Sequence, residues 1–477
     1  MGKFLSSMGT NVLALLVFSM AVLILYYLLP KKFRPIFLLC VNLLFYLVCD
    51  WKMAAVLVAA ILWTWFCGIK IGQEKKKGWL AAGVVSAVAL LGFFKYANVF
   101  ADKLNRLLAL VGLGSAGGTL VILMPLGISY YIFKAISYLV DVYRGKYEAE
   151  KNLSTYALYL SFFPEILSGP ISRFDQFRQG LETGMDYSGD NMQRGFYFIL
   201  KGLFLKGVIA NRLAGYVGTV FAAPGSHNWL ALWMAAFFYA FQLYCDFSGY
   251  SSIAIGITRL FGLHHQDNFL RPYLATDIRE FWDRWHISLS AWLRDYVYFP
   301  LGGSRCAKWR SKLNVLIVFL VSGLWHGVGL QYVAWGAYHG ILNMLTPRRR
   351  SKEPRRGILR WLLIFLNFCL VTFGWILFGS GSLGNAAAYL RGMFSGIALN
   401  MDVIQTAVLP FTSDNTCVAF FLIAVAFILI LLVREIWEEH KKADGSYLPG
   451  MVWQVFLLTC VILFGNFAVS GFIYANF

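Results

Sequence analysis

Leu313–Leu345, LNVLIVFLVSGLWHGVGLQYVAWGAYHGILNML, runs for 33 residues without a Lys, Arg, Asp or Glu. Arg305, Lys308, Arg310 and Lys312 precede it, and Arg348, Arg349, Arg350, Lys352, Arg355 and Arg356 follow it. Cytoplasmic loops of membrane proteins collect Lys and Arg. Both clusters are therefore expected on the cytoplasmic side, and the segment between them must enter the membrane and return. Each arm then has about 16 residues, about 24 Å of helix. The bend is expected at Ser322-Gly323-Leu324-Trp325-His326-Gly327, which puts His326 deep in the membrane, with His339 on the returning arm.

The rest of the chain agrees with that setting. Of 477 residues, 59% are apolar, 17% aromatic and only 14% charged. Soluble domains average about 25% charged residues and roughly 45–50% apolar ones. A soluble core of this length cannot hide the excess, so the class expected is a polytopic α-helical membrane protein. A secreted disulfide scaffold, a disordered chain and a soluble enzyme on one anchor are excluded. The net charge of +18 fits basic cytoplasmic loops, which attract anionic lipids and polyanionic cofactors; nucleic acid is not expected as a partner. Eight scattered cysteines, without a CxxC pair, read as packing residues, and no metal site is expected.

Further apolar runs are expected to span at Asn11–Pro30, Pro35–Cys49, Met53–Ile69 and from Trp79 onward. The clusters Lys31-Lys32 with Arg34 and Lys75-Lys76-Lys77 fall on one side if the N-terminus is outside. Leu120–Tyr143 and Tyr156–Ile171 are broken by Pro125, Gly127, Pro164, Gly169 and Pro170. Broken helices at membrane depth persist where protein or a water-filled cavity surrounds them. Runs near 192–222, 229–262 and 286–300 continue the pattern, followed by Trp361–Gly379, Cys417–Val433 and Met451–Ile473. No repeat is visible, and a single membrane domain over 1–477 is expected: N-terminal helices over 1–124, a core over about 125–340 and C-terminal helices over 358–477.

Three features could carry chemistry. Polar residues inside a membrane are costly and tend to be functional, and burial keeps an imidazole neutral and able to accept a proton. His326 is the first candidate and His339 a weaker one; the plainer alternative is a neutral histidine bonded to a backbone carbonyl. The second feature is Arg279–Tyr296, REFWDRWHISLSAWLRDY. On a helix, Arg279/Asp283 and Glu280/Arg284 are i,i+4 pairs, and its tryptophans suit a headgroup-level anchor. The third is Asp246 within YCDFSGY, a carboxylate with no basic neighbour in sequence; structural support is its simplest role. Walker A, dinucleotide-turn, HExxH and GxSxG patterns do not occur. Gly323/Gly327 and Gly336/Gly340 match the small-xxx-small spacing of close helix contacts, a frequent motif in membrane proteins.

Together these stretches resemble the membrane-bound O-acyltransferase family, in particular its bacterial branch typified by alginate O-acetyltransferase. The resemblance rests on 125-PLGISYY to Asp141-Val-Tyr-Arg-Gly145, 163-FPEILSGP, 246-DFSGY, 268-NFLRPY, 280-EFWDRWHISLS through Arg294-Asp-Tyr and Pro300-Leu-Gly-Gly303, and 322-SGLWHG through 335-WGAYHG. Departures fall at Ser252, where the family often has Asp, and at Leu330, where it often has an aromatic residue. The resemblance implies a ring-like all-α bundle of short and re-entrant helices around a central tunnel. It implies His326 as the essential histidine and His286 as the second active-site residue. Asp246, Ser248, Trp325, Trp285, Arg284, Arg294, Asp295 and His339 are the expected supporting or tunnel residues.

It further implies an O-acyltransferase in a bacterial cell membrane, taking an acetyl group from a cytoplasmic thioester, acetyl-CoA, as co-substrate. The acceptor is a hydroxyl of a cell-surface polysaccharide, reached through an extracytoplasmic SGNH-hydrolase-like partner. Two alternatives stay open: a D-alanyl transferase for teichoic acid fed by a carrier-protein thioester, and a glycan transporter or flippase.

Overall fold

In the computed structural model, residues 11–111, 122–166, 169–347, 357–411, 417–441 and 448–467 are described. The second basic cluster (348–356), Leu120, Leu167-Ser168 and the end of the last expected run (468–473) lie outside them.

The described residues are built from helices, with no strand among them. Two compact units can be separated: residues 1–195 with 257–265, and residues 196–256 with 266–477. The first contains α1 (Val12–Leu28), α2 (Arg34–Asp50), α3 (Ala54–Glu74), α4 (Lys77–Leu110), α5 (Ile128–Tyr143), α6 (Leu153–Ser161), α7 (Phe163–Ile166) and α8 (Phe174–Thr183). Asn11 starts α1 by accepting hydrogen bonds from the amides of Leu13 (2.9 Å) and Ala14 (3.2 Å), which satisfies donors the helix cannot use itself. Pro35 stands in the first turn of α2, where its missing N–H costs nothing. Helices therefore appear within a few residues of the sequence limits expected at 11–30, 35–49, 53–69 and from 79, although α1, at 17 residues, falls short of spanning length.

The broken stretch that follows folds as α5 and the short helices α6 and α7. It buries a charged group. Lys134 Nζ lies 2.8 Å from Glu165 Oε2, His265 Nε2 lies 2.6 Å from Glu165 Oε1, and Ser172 Oγ donates to Oε2 at 2.5 Å. All four residues are buried, and mutual pairing is what makes buried charge tolerable.

α9 (Gly189–Leu203) crosses the division and runs through a π-helical turn, Phe204–Ala210, into α10 (Asn211–Ala222) of the second unit. There follow α11 (Trp229–Leu260), the seven-residue helices α12 (Ile278–Arg284) and α13 (Ile287–Leu293), α14 (Lys308–His326) and α15 (Leu330–Leu345). The unit is completed by α16 (Gly357–Gly379), α17 (Leu383–Met393), α18 (Met401–Val408), α19 (Cys417–His440) and α20 (Met451–Phe464). Among the described residues, five stretches are long and apolar enough to cross a membrane: 31–74, which joins α2 and α3, and helices α4, α11, α16 and α19. The chain is an all-α polytopic membrane protein.

Two expectations are corrected here. The run near 286–300 is no spanning helix: α13 is seven residues long and leads into a π-turn, Arg294–Tyr298. Nor is 279–296 one helix. The chain breaks at Trp285-His286, where His286 takes φ +44°, so the i,i+4 spacing applies only up to Arg284. Glu280 and Arg284 do pair, at 2.7 Å. Arg279 instead donates to the carbonyls of Asn343 (2.8 Å) and Thr346 (2.9 Å), where α15 ends, satisfying acceptors that a helix C-terminus leaves open.

The hairpin expected from Leu313–Leu345 is present. α14 and α15 pack along their length, but the turn falls at Gly327-Val328-Gly329, just after the expected Ser322–Gly327, because α14 stays helical through His326. Glycine makes the approach possible: a Cβ on Gly336 would collide with the Phe319 carbonyl, and one on Gly323 with the Tyr332 carbonyl.

Candidate active site

α14 ends on His326, where the Gly327 amide donates to the Gly323 carbonyl at 3.3 Å and closes the last turn. At 1.5 Å per residue, that end lies about 27 Å along the helix from Lys308. The His326 side chain is buried, and its ring is flanked by Trp325 (centroids 4.8 Å), Trp335 (5.1 Å) and Phe378 (5.3 Å).

His286 occupies the break between α12 and α13. A non-glycine residue with positive φ is strained and needs surroundings that over-determine it. The loop 268–271 supplies them. The Leu270 amide donates to the Arg284 carbonyl (2.9 Å), and the Ile287 amide donates to the Asn268 carbonyl (3.0 Å). Asn268 Oδ1 accepts from the Ser288 amide (3.0 Å) and the Ser288 hydroxyl (2.9 Å), and lies 3.3 Å from His286 Nδ1. The imidazole is 1% exposed, walled by Phe247 (4.6 Å), Phe269 (6.4 Å) and Trp325 (6.3 Å). His286 Nε2 has no hydrogen-bond partner among the described residues. Burial pushes its pKa down to about 3, so the ring is neutral at physiological pH.

The two histidines thus flank one indole, that of Trp325. A cavity of about 420 Å³ lies nearby, without either imidazole in its lining, and is within the size range of small-molecule sites. Its walls include Ile287, next to His286, and Ser322, one helical turn before His326, together with Trp282, Asp283, Arg294 and Tyr298. Polar, cationic and apolar side chains all contribute to its lining. Among the described residues, no group of three His, Cys, Asp or Glu side chains could hold a metal ion.

The other expected residues divide. Trp325 lies between the histidines. Arg294 lines the cavity and pairs with Asp295 at 3.1 Å on the exposed side. Ser248 is near the Asn268 end: with Ser251 and Asn268 it lines a small space of about 10 Å³. Trp285 belongs to the aromatic core, against Trp375 (4.9 Å), Phe269 (5.0 Å) and Phe281 (5.5 Å). Arg284 ties α12 to α19 through Glu439 at 2.9 Å. Asp246 is paired with Lys206 of the π-turn, which supplies the basic neighbour the sequence lacked nearby. His339 sits in a cage of Trp282 (5.2 Å), Trp335 (5.2 Å), Tyr338 (5.3 Å) and Trp375 (6.0 Å). Neither of its ring nitrogens has a partner among the described residues. Trp335 touches both His326 and His339, so His339 backs the site rather than lining the cavity. Ser252 lines the small space with Ser248, and Leu330 is exposed at the start of α15.

Sequence reasoning missed Asn268 and Lys206. Asn268 opens the quoted NFLRPY stretch, but its partners are 18 and 20 residues away. Lys206 is 40 residues from Asp246. Neither pairing leaves a local pattern.

Comparison with known proteins shows the family of the chain. The profile of the MBOAT, membrane-bound O-acyltransferase family, matches residues 148–347. The chain is 35% identical over 433 residues to a probable alginate O-acetylase AlgI of Pseudomonas syringae pv. tomato, covering 88% of this chain and 81% of that one. To the peptidoglycan O-acetyltransferase of Helicobacter pylori it is 33% identical over 494 residues, covering 93% and 92%. A teichoic acid D-alanyltransferase of Bacillus subtilis is 30% identical over 269 residues, covering 53% of this chain and 68% of that one. The chain belongs to the membrane-bound O-acyltransferase family and is an O-acyltransferase.

Proposed function

From that membership we propose that this protein transfers an acetyl group from a cytoplasmic thioester, acetyl-CoA, to a hydroxyl destined for a cell-surface polysaccharide. The observation that carries the proposal is the meeting of two buried histidines, His286 and His326, around Trp325, with a cavity lined by their chain neighbours Ile287 and Ser322 and by Arg294. Relatives named for acetyl transfer to alginate and to peptidoglycan align over most of this chain, whereas the D-alanyltransferase aligns over about half of it. That difference favours acetyl-CoA over a carrier-protein thioester.

In this reading the basic clusters face the cytoplasm and the N-terminus lies outside. The thioester enters the cavity along α14 and brings its carbonyl up to Ser322 and His326. The hydroxyl arrives from the opposite side, by way of an extracytoplasmic SGNH-hydrolase-like acceptor protein. His326 takes the hydroxyl proton as the oxygen attacks the carbonyl. The C–S bond breaks, and the proton passes from His326 to the departing sulfur, leaving free CoA thiol and an ester. His286 orients a reacting group. General base catalysis contributes about 10²–10⁴-fold, and holding both substrates in register supplies much of the remainder.

The test is label transfer from acetyl-CoA in membranes containing wild type, His326→Ala or His286→Ala. Transfer by wild type, lost in His326→Ala although the protein still folds, is the expected result. Turnover only with a charged carrier protein would move the donor to the D-alanyl type. Full activity in His326→Ala would overturn the mechanism.

A further inference from the structure

His286 is held by one side chain, and the chemistry of that contact decides what the histidine can do. Asn268 Oδ1 receives the Ser288 backbone amide at 3.0 Å. An amide N–H can only donate, so the Asn268 atom facing it must be the oxygen; with the side chain flipped, two donors would oppose each other. The same oxygen lies 3.3 Å from His286 Nδ1. An oxygen without hydrogen needs a donor opposite, so Nδ1 carries the imidazole proton. In a neutral ring Nε2 is then a bare lone pair. That atom is buried and has no partner among the described residues.

We infer that Asn268 is a positioning residue that locks His286 in the Nδ1–H tautomer and presents Nε2 to the active site as a hydrogen-bond acceptor. This rests on the function proposed above and sharpens it. His286 can receive a hydroxyl or thiol proton, or hold one in a hydrogen bond. It cannot polarise the thioester carbonyl, because that would need a proton on Nε2. The backbone serves the same end. The Ile287 amide bonds the Asn268 carbonyl at 3.0 Å and the Leu270 amide bonds the Arg284 carbonyl at 2.9 Å, so the loop that carries Asn268 also holds His286 in its left-handed conformation. The rings packed on it, Phe247, Phe269 and Trp325, carry no charge, which leaves Asn268 to choose the tautomer.

The direct test is the ¹⁵N NMR spectrum of histidine-labelled wild type in lipid, with the His286 signals assigned by their loss in His286→Gln. A protonated Nδ1 and unprotonated Nε2 are expected; a protonated Nε2 in the neutral ring overturns the inference. This measurement needs no variant of Asn268 to fold. The kinetic test uses Asn268→Asp, which keeps the shape and adds a negative charge beside Nδ1. An opposite charge stabilises the imidazolium, so the acid limb of the kcat/KM profile should move up by a pH unit or more. Asn268→Leu, which removes the acceptor, should lower kcat about tenfold or more while KM for acetyl-CoA stays within twofold. A residue that merely supports the fold would move neither the acid limb nor the tautomer, and that result refutes the assignment. If the NMR result holds but His286→Gln keeps full acetyl transfer, the proposed role of His286 fails and the tautomer assignment stands.

Discussion

Gly323→Ala tests whether the α14–α15 hairpin sets the position of His326. An ideal Cβ on Gly323 would lie 3.1 Å from the carbonyl carbon of Tyr332 and nearer still to its oxygen. Ordinary Cβ contacts begin at about 3.4 Å. The obstacle is backbone, which cannot rotate away as a side-chain tip can, so the arms must separate by several tenths of an ångström. Overpacking of this kind costs about 1–3 kcal/mol. Gly323 is three residues before His326, on the same face of α14, so the shift passes directly to the imidazole. A 1 Å misplacement of a catalytic group costs roughly 10²-fold, and a shift of half that size about tenfold. The assay is kcat for labelled acetyl transfer together with thermal unfolding in detergent. Gly218→Ala on α10, where nothing lies within 4 Å, is the control and should match wild type. Wild-type kcat and an unchanged melting temperature in Gly323→Ala would refute the close hairpin contact and its link to His326.

The buried pair in the first unit gives a second expectation. Lys134→Met leaves the buried Glu165 only His265 and Ser172 as partners, which costs up to about 3–5 kcal/mol, and adding Glu165→Leu should restore part of the lost melting temperature. Arg284→Ala removes the partner of Glu280 and Glu439 and should cost about 1.5–3 kcal/mol in a denaturation measurement, with residual kcat near wild type because the side chain is an anchor. Stability should also depend on pH through His286. Its folded pKa, about 3, lies below the unfolded value of about 6.5, so the unfolded state binds the proton first as pH falls. The melting temperature should decline as pH drops below 6.5 toward 3, and His286→Gln should flatten part of that slope.

The order and approximate ends of the helices were legible in the sequence because the membrane imposes a one-dimensional rule. Apolar runs of spanning length report spans directly, as Trp361–Gly379 did. The hairpin was legible for the same reason, since 33 uncharged residues between two basic clusters leave few paths, and glycines stand where the arms touch. His326 followed from its place in that bend. His286 did not follow from the residue pattern, which reads 279–296 as a tryptophan-rich anchor; the resemblance singled it out, and the chain breaks there at φ +44°.

By itself, then, the sequence determined the class of protein, most of the helices and the histidine beside the turn of the hairpin. Only the tertiary structure decided which polar groups meet. Lys206 reaches Asp246, Asn268 reaches His286, Glu439 reaches Arg284, and Lys134 and His265 share Glu165, over separations of 18 to 155 residues. Hydrophobic periodicity is a local property of each helix. A buried polar group takes its partner from whichever helix packs against it, and that choice is made by the whole fold.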